Sequence, residues 1–151
     1  MSEPLRVAVG GVGGQMGAAV AALAAERPLV EPVLGISTTP EAVDAPVEEV
    51  IDTAVLQDAL DASVVDVLIE FTTAGAVVTY ADAAAAAGIA LVSGTTGLAV
   101  PDDRALAAAA ETVPVLHATN FSRGIAVLRA LVREAVTLLP DADIELTETH
   151  H

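Results

Sequence analysis

Gly10, Gly11, Gly13, Gly14 and Gly17 follow the run Leu5-Arg6-Val7-Ala8-Val9 and lead into an alanine-rich segment. A residue without Cβ tolerates positive φ and lets backbone N–H groups approach an anion. A helix starting at such a turn points its positive end at the same place. The chemistry served is the holding of a pyrophosphate, as in a dinucleotide. Gly11, Gly14 and Gly17 recur at every third position, whereas a strict G-x-G-x-x-G counted from Gly11 needs glycine where Met16 stands. A glycine turn can also be no more than a tight connection, so the rest of the chain must decide. Thr72-Thr73, Gly94-Thr95-Thr96-Gly97 and Thr119-Asn120-Phe121-Ser122 each offer small hydroxyls or amides that a ligand could use. Ser, Thr and Asn are also common helix caps. His150 and His151 carry imidazoles, whose pKa near neutrality suits proton transfer.

The elements that must position these groups alternate regularly. After the first strand, residues 15–26 read as a helix with Val20 and Leu23 on its core face, ended by Arg27-Pro28. A second strand is expected over 30–37. A dinucleotide fold normally places an acid for the adenosine ribose at its end, but Gly35-Ile36-Ser37-Thr38-Thr39 stands there. Without a carboxylate to repel a 2′-phosphate, NADP is at least as well suited as NAD, although no arginine is at hand.

Residues 40–49, with two prolines and four acids, read as a surface loop or short helix, and 52–60 as a short helix. A near-continuous apolar strand follows over 64–71, with Asp66 and Glu70 near its ends. Helix 76–87 stopped by Gly88, strand 89–93, helix 101–111, strand 113–118, helix 124–139 and an alternating strand from 144 complete the expected order. Strict alternation of strand and helix means an α/β doubly wound parallel sheet, Rossmann-like, with ligands at the carboxyl ends of the strands.

Composition narrows the classes. With 151 residues, 54% of them apolar, the chain builds one ordinary core. No apolar run reaches membrane-span length and Met-Ser-Glu-Pro is no secretory leader, so a cytoplasmic protein is expected. The absence of cysteine excludes thiol chemistry and Cys-based metal sites, and three scattered histidines argue against a structural metal. There are 21 acidic residues against six basic ones, all arginine, for a formal charge of −15. Such a chain repels nucleic acid and anionic lipid. The acids are spread along the sequence, as adaptation to high salt requires, although a docking surface for a basic partner is the competing explanation.

Taken together, Gly11-Val12-Gly13-Gly14-Gln15-Met16-Gly17, Glu70-Phe71-Thr72, Gly94-Thr95-Thr96-Gly97, Ala118-Thr119-Asn120-Phe121-Ser122 and Glu148-Thr149-His150-His151 resemble the 4-hydroxy-tetrahydrodipicolinate reductase family of diaminopimelate and lysine biosynthesis. The resemblance covers nearly the whole chain. It implies an NAD(P)H-dependent oxidoreductase that reduces a carbon–nitrogen double bond in a small cyclic dicarboxylate. It also implies that Gly11, Val12, Gly13, Gly14, Gln15, Met16 and Gly17 bind the pyrophosphate of NADPH or NADH. Gly94, Thr95, Thr96, Ala118, Thr119, Asn120 and Phe121 then line the nicotinamide side.

By the same resemblance His150 is the general acid, His151 holds a substrate carboxylate, and full-length members are homo-oligomers. A lysine and a D-A-P-S-G-T segment that follow the His-His pair in the family are not in this sequence. Residues 1–140 are accordingly expected to form the dinucleotide-binding domain and 141–151 the first strand of a substrate domain otherwise missing, so that this chain alone is inactive. A non-catalytic nucleotide-binding module, or a fragment of another Rossmann amino-acid dehydrogenase, are the alternatives.

Overall fold

In the computed structural model, residues 3–145 and 147 are described. They fall into two compact units, one ending at Thr119 and the other starting at Asn120. The first contains β1 (Leu5–Gly10), α1 (Gln15–Ala25), β2 (Val30–Ser37), β3 (Glu49–Asp52), α2 (Leu56–Ala62), β4 (Val67–Glu70), α3 (Val77–Ala87), β5 (Ala90–Ser93), α4 (Val100–Ala109) and β6 (Val115–His117). The second contains α5 (Arg123–Leu138).

The six strands form one parallel sheet in the order β3-β2-β1-β4-β5-β6. Chain order reverses direction between β1 and β4, and the crevice above that point is where doubly wound sheets take ligands. Side chains alternate across β1. Val7 and Val9 cluster with Val12 and Ala21, whereas Ala8 between them packs with Val77, Tyr80 and Ala81 of α3. Alanines at the helix contacts let α1 and α3 lie close to the sheet, and Ala21, Ala81 and Ala84 are fully buried.

Three local expectations are corrected. The face of α1 that meets the sheet runs through Gly17, Ala21 and Ala24, a strict i, i+4, i+7 row. Leu23 lies off that row and is 54% exposed, while Val20 is partly buried against the core. Part of the acidic stretch is the edge strand β3, followed by a 3₁₀ turn at Thr53–Val55 and then α2. β3 is only four residues long with an acid at each end, too short for a legible alternation, and Asp52 leaves it to accept Ala54 N–H at 2.7 Å. β4 is shorter than expected because Val64 is exposed and Asp66 turns its carboxylate to the Arg6 N–H, 2.8 Å away.

In the second unit α5 is capped by Ser122, whose Oγ accepts Ile125 N–H at 3.4 Å, and none of its residues is buried. Ile144 and Glu145 are not in a strand, and the remainder of the strand expected there, with His150 and His151, lies outside the described residues. No helix among the described residues is long and apolar enough to cross a membrane.

Candidate functional site

The β1–α1 turn is built around one backbone conformation and two close approaches. Gly11 has φ of 74°, a region that favours glycine, and a Cβ there would strike the Phe71 carbonyl. A Cβ on Gly17 would fall on the Gly11 carbonyl and within 2.9 Å of Val12 Cα, so the first turn of α1 sits directly on the glycine loop. The loop is tied to β2 by Gly11 N–H to Ile36 O at 2.9 Å and closed by Gly14 N–H to Gly11 O at 2.9 Å. Gly14 is the N-cap and brings no capping side chain. The first intrahelical bond is Ala18 N–H to Gly14 O, so the amides of Gln15, Met16 and Gly17 precede it and point out of the helix end.

Beside this turn lies a cleft of about 430 Å³, a usual size for a small-molecule site. Gly11, Gly13 and Gly14 form its floor, and Ser37, Thr38 and Thr39 at the end of β2 form one wall. Phe71, Thr72 and Thr73 after β4 form the other, with Thr53, Ala76 and Tyr80 behind. No acid or base is among the lining residues, so an anion there would be met by backbone N–H groups and hydroxyls. Ser37 Oγ accepts Thr39 N–H at 3.1 Å, which fixes the turn at the end of β2 where Thr38 and Thr39 line the cleft.

The glycine-loop residues singled out from the sequence thus come together at the site in different capacities. Gly11, Gly13 and Gly14 line it, Gly17 supports it from below, and Val12 is a buried core residue. Gln15 and Met16 are exposed on the first turn of α1. Gly94, Thr95 and Thr96 follow β5. Thr95 is 3% exposed and turns its hydroxyl inward to Glu70, while Thr96 is exposed. Ala118 donates its N–H to Ser93 O at 3.2 Å, and Thr119 next to it is exposed. Asn120 and Phe121 belong to the second unit, where Asn120 Oδ1 accepts Ser122 N–H at 2.8 Å.

Tyr80 and Glu70 were not singled out as site residues. Their signals are modest: the chain's only tyrosine falls on an i, i+3, i+4, i+7 row with Val77, Ala81 and Ala84, and a carboxylate ends an otherwise apolar strand. The Tyr80 ring fills the space a Cβ on Gly10 would need. Burial pushes the Tyr80 phenol above its ordinary value, and the Glu70 charge adds to this against the Thr53 side chain and the Gly11 backbone.

The folded state therefore keeps this proton at a pH where the unfolded chain loses it. Stability from Tyr80 is complete below the ordinary phenol value of 10.0 and is lost as pH rises through the higher native one. Since Tyr80 is the only tyrosine, and lysine and cysteine are lacking, tyrosinate absorbance reports this one group. The native midpoint is expected above that of the urea-unfolded chain, and a coincident midpoint would contradict the burial.

The sequence profile described as dihydrodipicolinate reductase, N-terminus, matches residues 5–121. The chain belongs to that family. It is similar to the 4-hydroxy-tetrahydrodipicolinate reductases of Thermomicrobium roseum, 43% identical over 97% of this chain and 58% of the relative, and of Haloarcula marismortui, 44% identical over 97% and 57%. It therefore spans a little under three fifths of the length of these curated relatives.

Among solved structures, a dipicolinate-bound dihydrodipicolinate reductase from Paenisporosarcina sp. TG-14 superposes with a TM-score of 0.76 over 91% of this chain and 56% of that one, at 22% identity. The Rex-family repressor RSP with β-NADH gives 0.60 at 18% identity, over 92% and 61%. These two likenesses establish a Rossmann-like α/β fold.

Proposed function

We propose that the chain is the nucleotide-binding portion of a 4-hydroxy-tetrahydrodipicolinate reductase and binds NADPH or NADH across the carboxyl ends of its sheet. The observation that carries this reading is the uncharged cleft at the β1/β4 switch point, floored by Gly11, Gly13 and Gly14 and facing the free N-terminal amides of α1. A pyrophosphate suits this place because the lining is uncharged, three glycines bring backbone to it, and the N-terminal amides of α1 precede the first intrahelical bond. The adenosine then lies toward β2, between Ser37, Thr38, Thr39 and Thr53, and the nicotinamide toward the turns after β4 and β5. With neither a carboxylate nor a guanidinium at the adenosine end, NADPH is accepted at least as readily as NADH.

Bound cofactor would supply a hydride. This chain's contribution is to hold the cofactor in register and to exclude water from the β4 and β5 turns. By family membership the substrate is a small cyclic dicarboxylate. His150 would deliver a proton to it and His151 would hold a carboxylate; both lie outside the described residues. Members of full length are homo-oligomers on this reading, and the protein works in the cytoplasm. The charge of −15 weighs against nucleic-acid binding of the kind shown by the operator complex of the RSP repressor.

Calorimetric titration tests the cofactor reading. Gly14 lines the cleft, and a Cβ there meets only the Gly11 carbonyl oxygen, at a tight 3.3 Å, so Gly14→Val perturbs the fold far less than a substitution at Gly17 while adding bulk at the cleft. NADPH affinity is expected to fall at least about 100-fold, since the lost contacts are backbone hydrogen bonds to a charged group. Unchanged affinity would remove the glycine turn from the site.

A further inference from the structure

One buried side chain joins the two turns on the nicotinamide side. Glu70 is fully buried at the end of β4, and its partners are all uncharged donors. Oε2 accepts from Thr72 N–H at 3.1 Å, Thr72 Oγ1–H at 2.7 Å and Thr95 Oγ1–H at 2.6 Å, and Oε1 accepts from the Ser93 hydroxyl. Thr95 Oγ1 in turn accepts Thr72 N–H at 2.8 Å, so the turn after β4 and the turn after β5 share one network. The contact extends to the surface, where a Cβ on Gly94 would land in the Phe71 ring. On the far side His117 Nε2 lies 3.1 Å from Thr95 O, tying the same turn to β6.

A carboxylate without a cation is an expensive way to fill a core position, and an apolar residue would serve stability as well or better. It is suited to a different task. An acceptor with two oxygens can hold three hydroxyls and an amide from two separate loops at fixed distances.

We propose that Glu70 is a positioning residue for the cofactor, acting through Thr72 and Thr95 to fix the turns after β4 and β5 as one wall against the nicotinamide half. The inference rests on the dinucleotide reading above and deepens it. The adenosine half is held by other residues, Thr38, Thr39 and Thr53, with which Glu70 shares no hydrogen bond.

That separation supplies the test. The chain, Glu70→Ala and Glu70→Gln are each titrated with NADPH and with ADP, which lacks the nicotinamide half, and circular dichroism follows folding. Glu70→Ala strands three hydroxyl donors and is expected to weaken NADPH about tenfold or more, with ADP changed less than about twofold. Glu70→Gln keeps an acceptor for Thr72 and Thr95 and can donate to Ser93 Oγ, so NADPH is expected within about threefold of the unsubstituted chain.

Parallel losses of both ligands in Glu70→Ala, or no loss of either, overturn the proposal, because the first is general loosening and the second is indifference. If Glu70→Ala does not fold, Thr95→Val removes one donor to Glu70 and one acceptor of Thr72 N–H with little change of shape and is judged by the same NADPH-to-ADP contrast. If the unsubstituted chain binds neither nucleotide, the dinucleotide reading falls and takes this inference with it. If it binds both and the variants match it, only the inference falls.

Discussion

Gly17→Ala is expected to destabilise the chain by about 3 kcal/mol or more, since the added carbon has nowhere to go. It would overlap the carbonyl group of Gly11 and come within 2.9 Å of Val12 Cα, and all of these are backbone atoms held by the bonds from Gly11 and Val12 to Ile36 O. A flexible side chain could swing away, but here α1 must lift from the glycine loop or the loop must leave β2. For a chain of this size about 3 kcal/mol corresponds to a fall in melting temperature of about 6–12 °C. Gly14→Val, three residues earlier, is expected to lose nucleotide while its melting temperature falls by no more than about 4 °C. Its Cβ meets a single backbone atom, Gly11 O at 3.3 Å, a tight contact that a shift of a few tenths of an ångström relieves, and valine, a poorer N-cap than glycine, adds a modest cost. Thermal denaturation of the two variants without ligand separates the glycine that supports the loop from the glycine that admits the ligand. If Gly17→Ala melted with the unsubstituted chain, α1 would not be seated on the loop as described.

The division of labour among these glycines shows what a sequence does and does not make legible. A strand breaking into spaced glycines and then into alanines specifies β1, the turn and α1, because chain stiffness, sterics and the need for backbone approach all act within a dozen residues. The regular alternation of apolar strands and alanine-rich helices likewise leaves little choice but a parallel sheet. The face of α1 was less legible. Hydrophobicity favours Leu23 for the core, but contact distance favours Gly17, Ala21 and Ala24, and the short approach set by Gly11 decided in favour of the small residues.

β3 was hidden for another reason. A short edge strand flanked by acids has the composition of a loop, and it exists because β2 offers it a partner from Leu34 to Ser37. Glu70, Thr95 and Tyr80 were illegible as a group, since their meaning is long-range. Thr95 reads as a ligand-facing hydroxyl until a carboxylate 25 residues away claims it.

The largest effect expected of the surface is on salt dependence. We propose that the acidic composition is an adaptation to molar salt, on which the melting temperature is expected to rise by about 10 °C between 0.1 M and 1 M KCl. The chain carries 21 acids and six arginines for a formal charge of −15, and the ion pair recorded among the described residues, Arg6 Nε to Glu31 Oε2, is long at 3.9 Å and partly exposed. Local pairing therefore offsets little of the repulsion.

With a charge of −15 and the radius that size scaling gives a chain of this length, roughly 19 Å folded and about twice that unfolded, charge repulsion disfavours folding by about 6 kcal/mol at 0.1 M and about 2–3 kcal/mol at 1 M. The difference, about 3–4 kcal/mol, is what salt returns, and at about 2–4 °C per kcal/mol it gives the stated shift. The shape of the curve carries as much information as its size. Screening shortens from about 10 Å to about 3 Å by 1 M and has little left to give beyond it, whereas stabilisation through exclusion of solute from the surface keeps rising with concentration. A rise that saturates near 1 M supports screening of a dispersed acidic surface. A melting temperature flat across the range would mean that the acids do not repel one another appreciably in the folded state, and would favour a surface shaped for a basic partner instead.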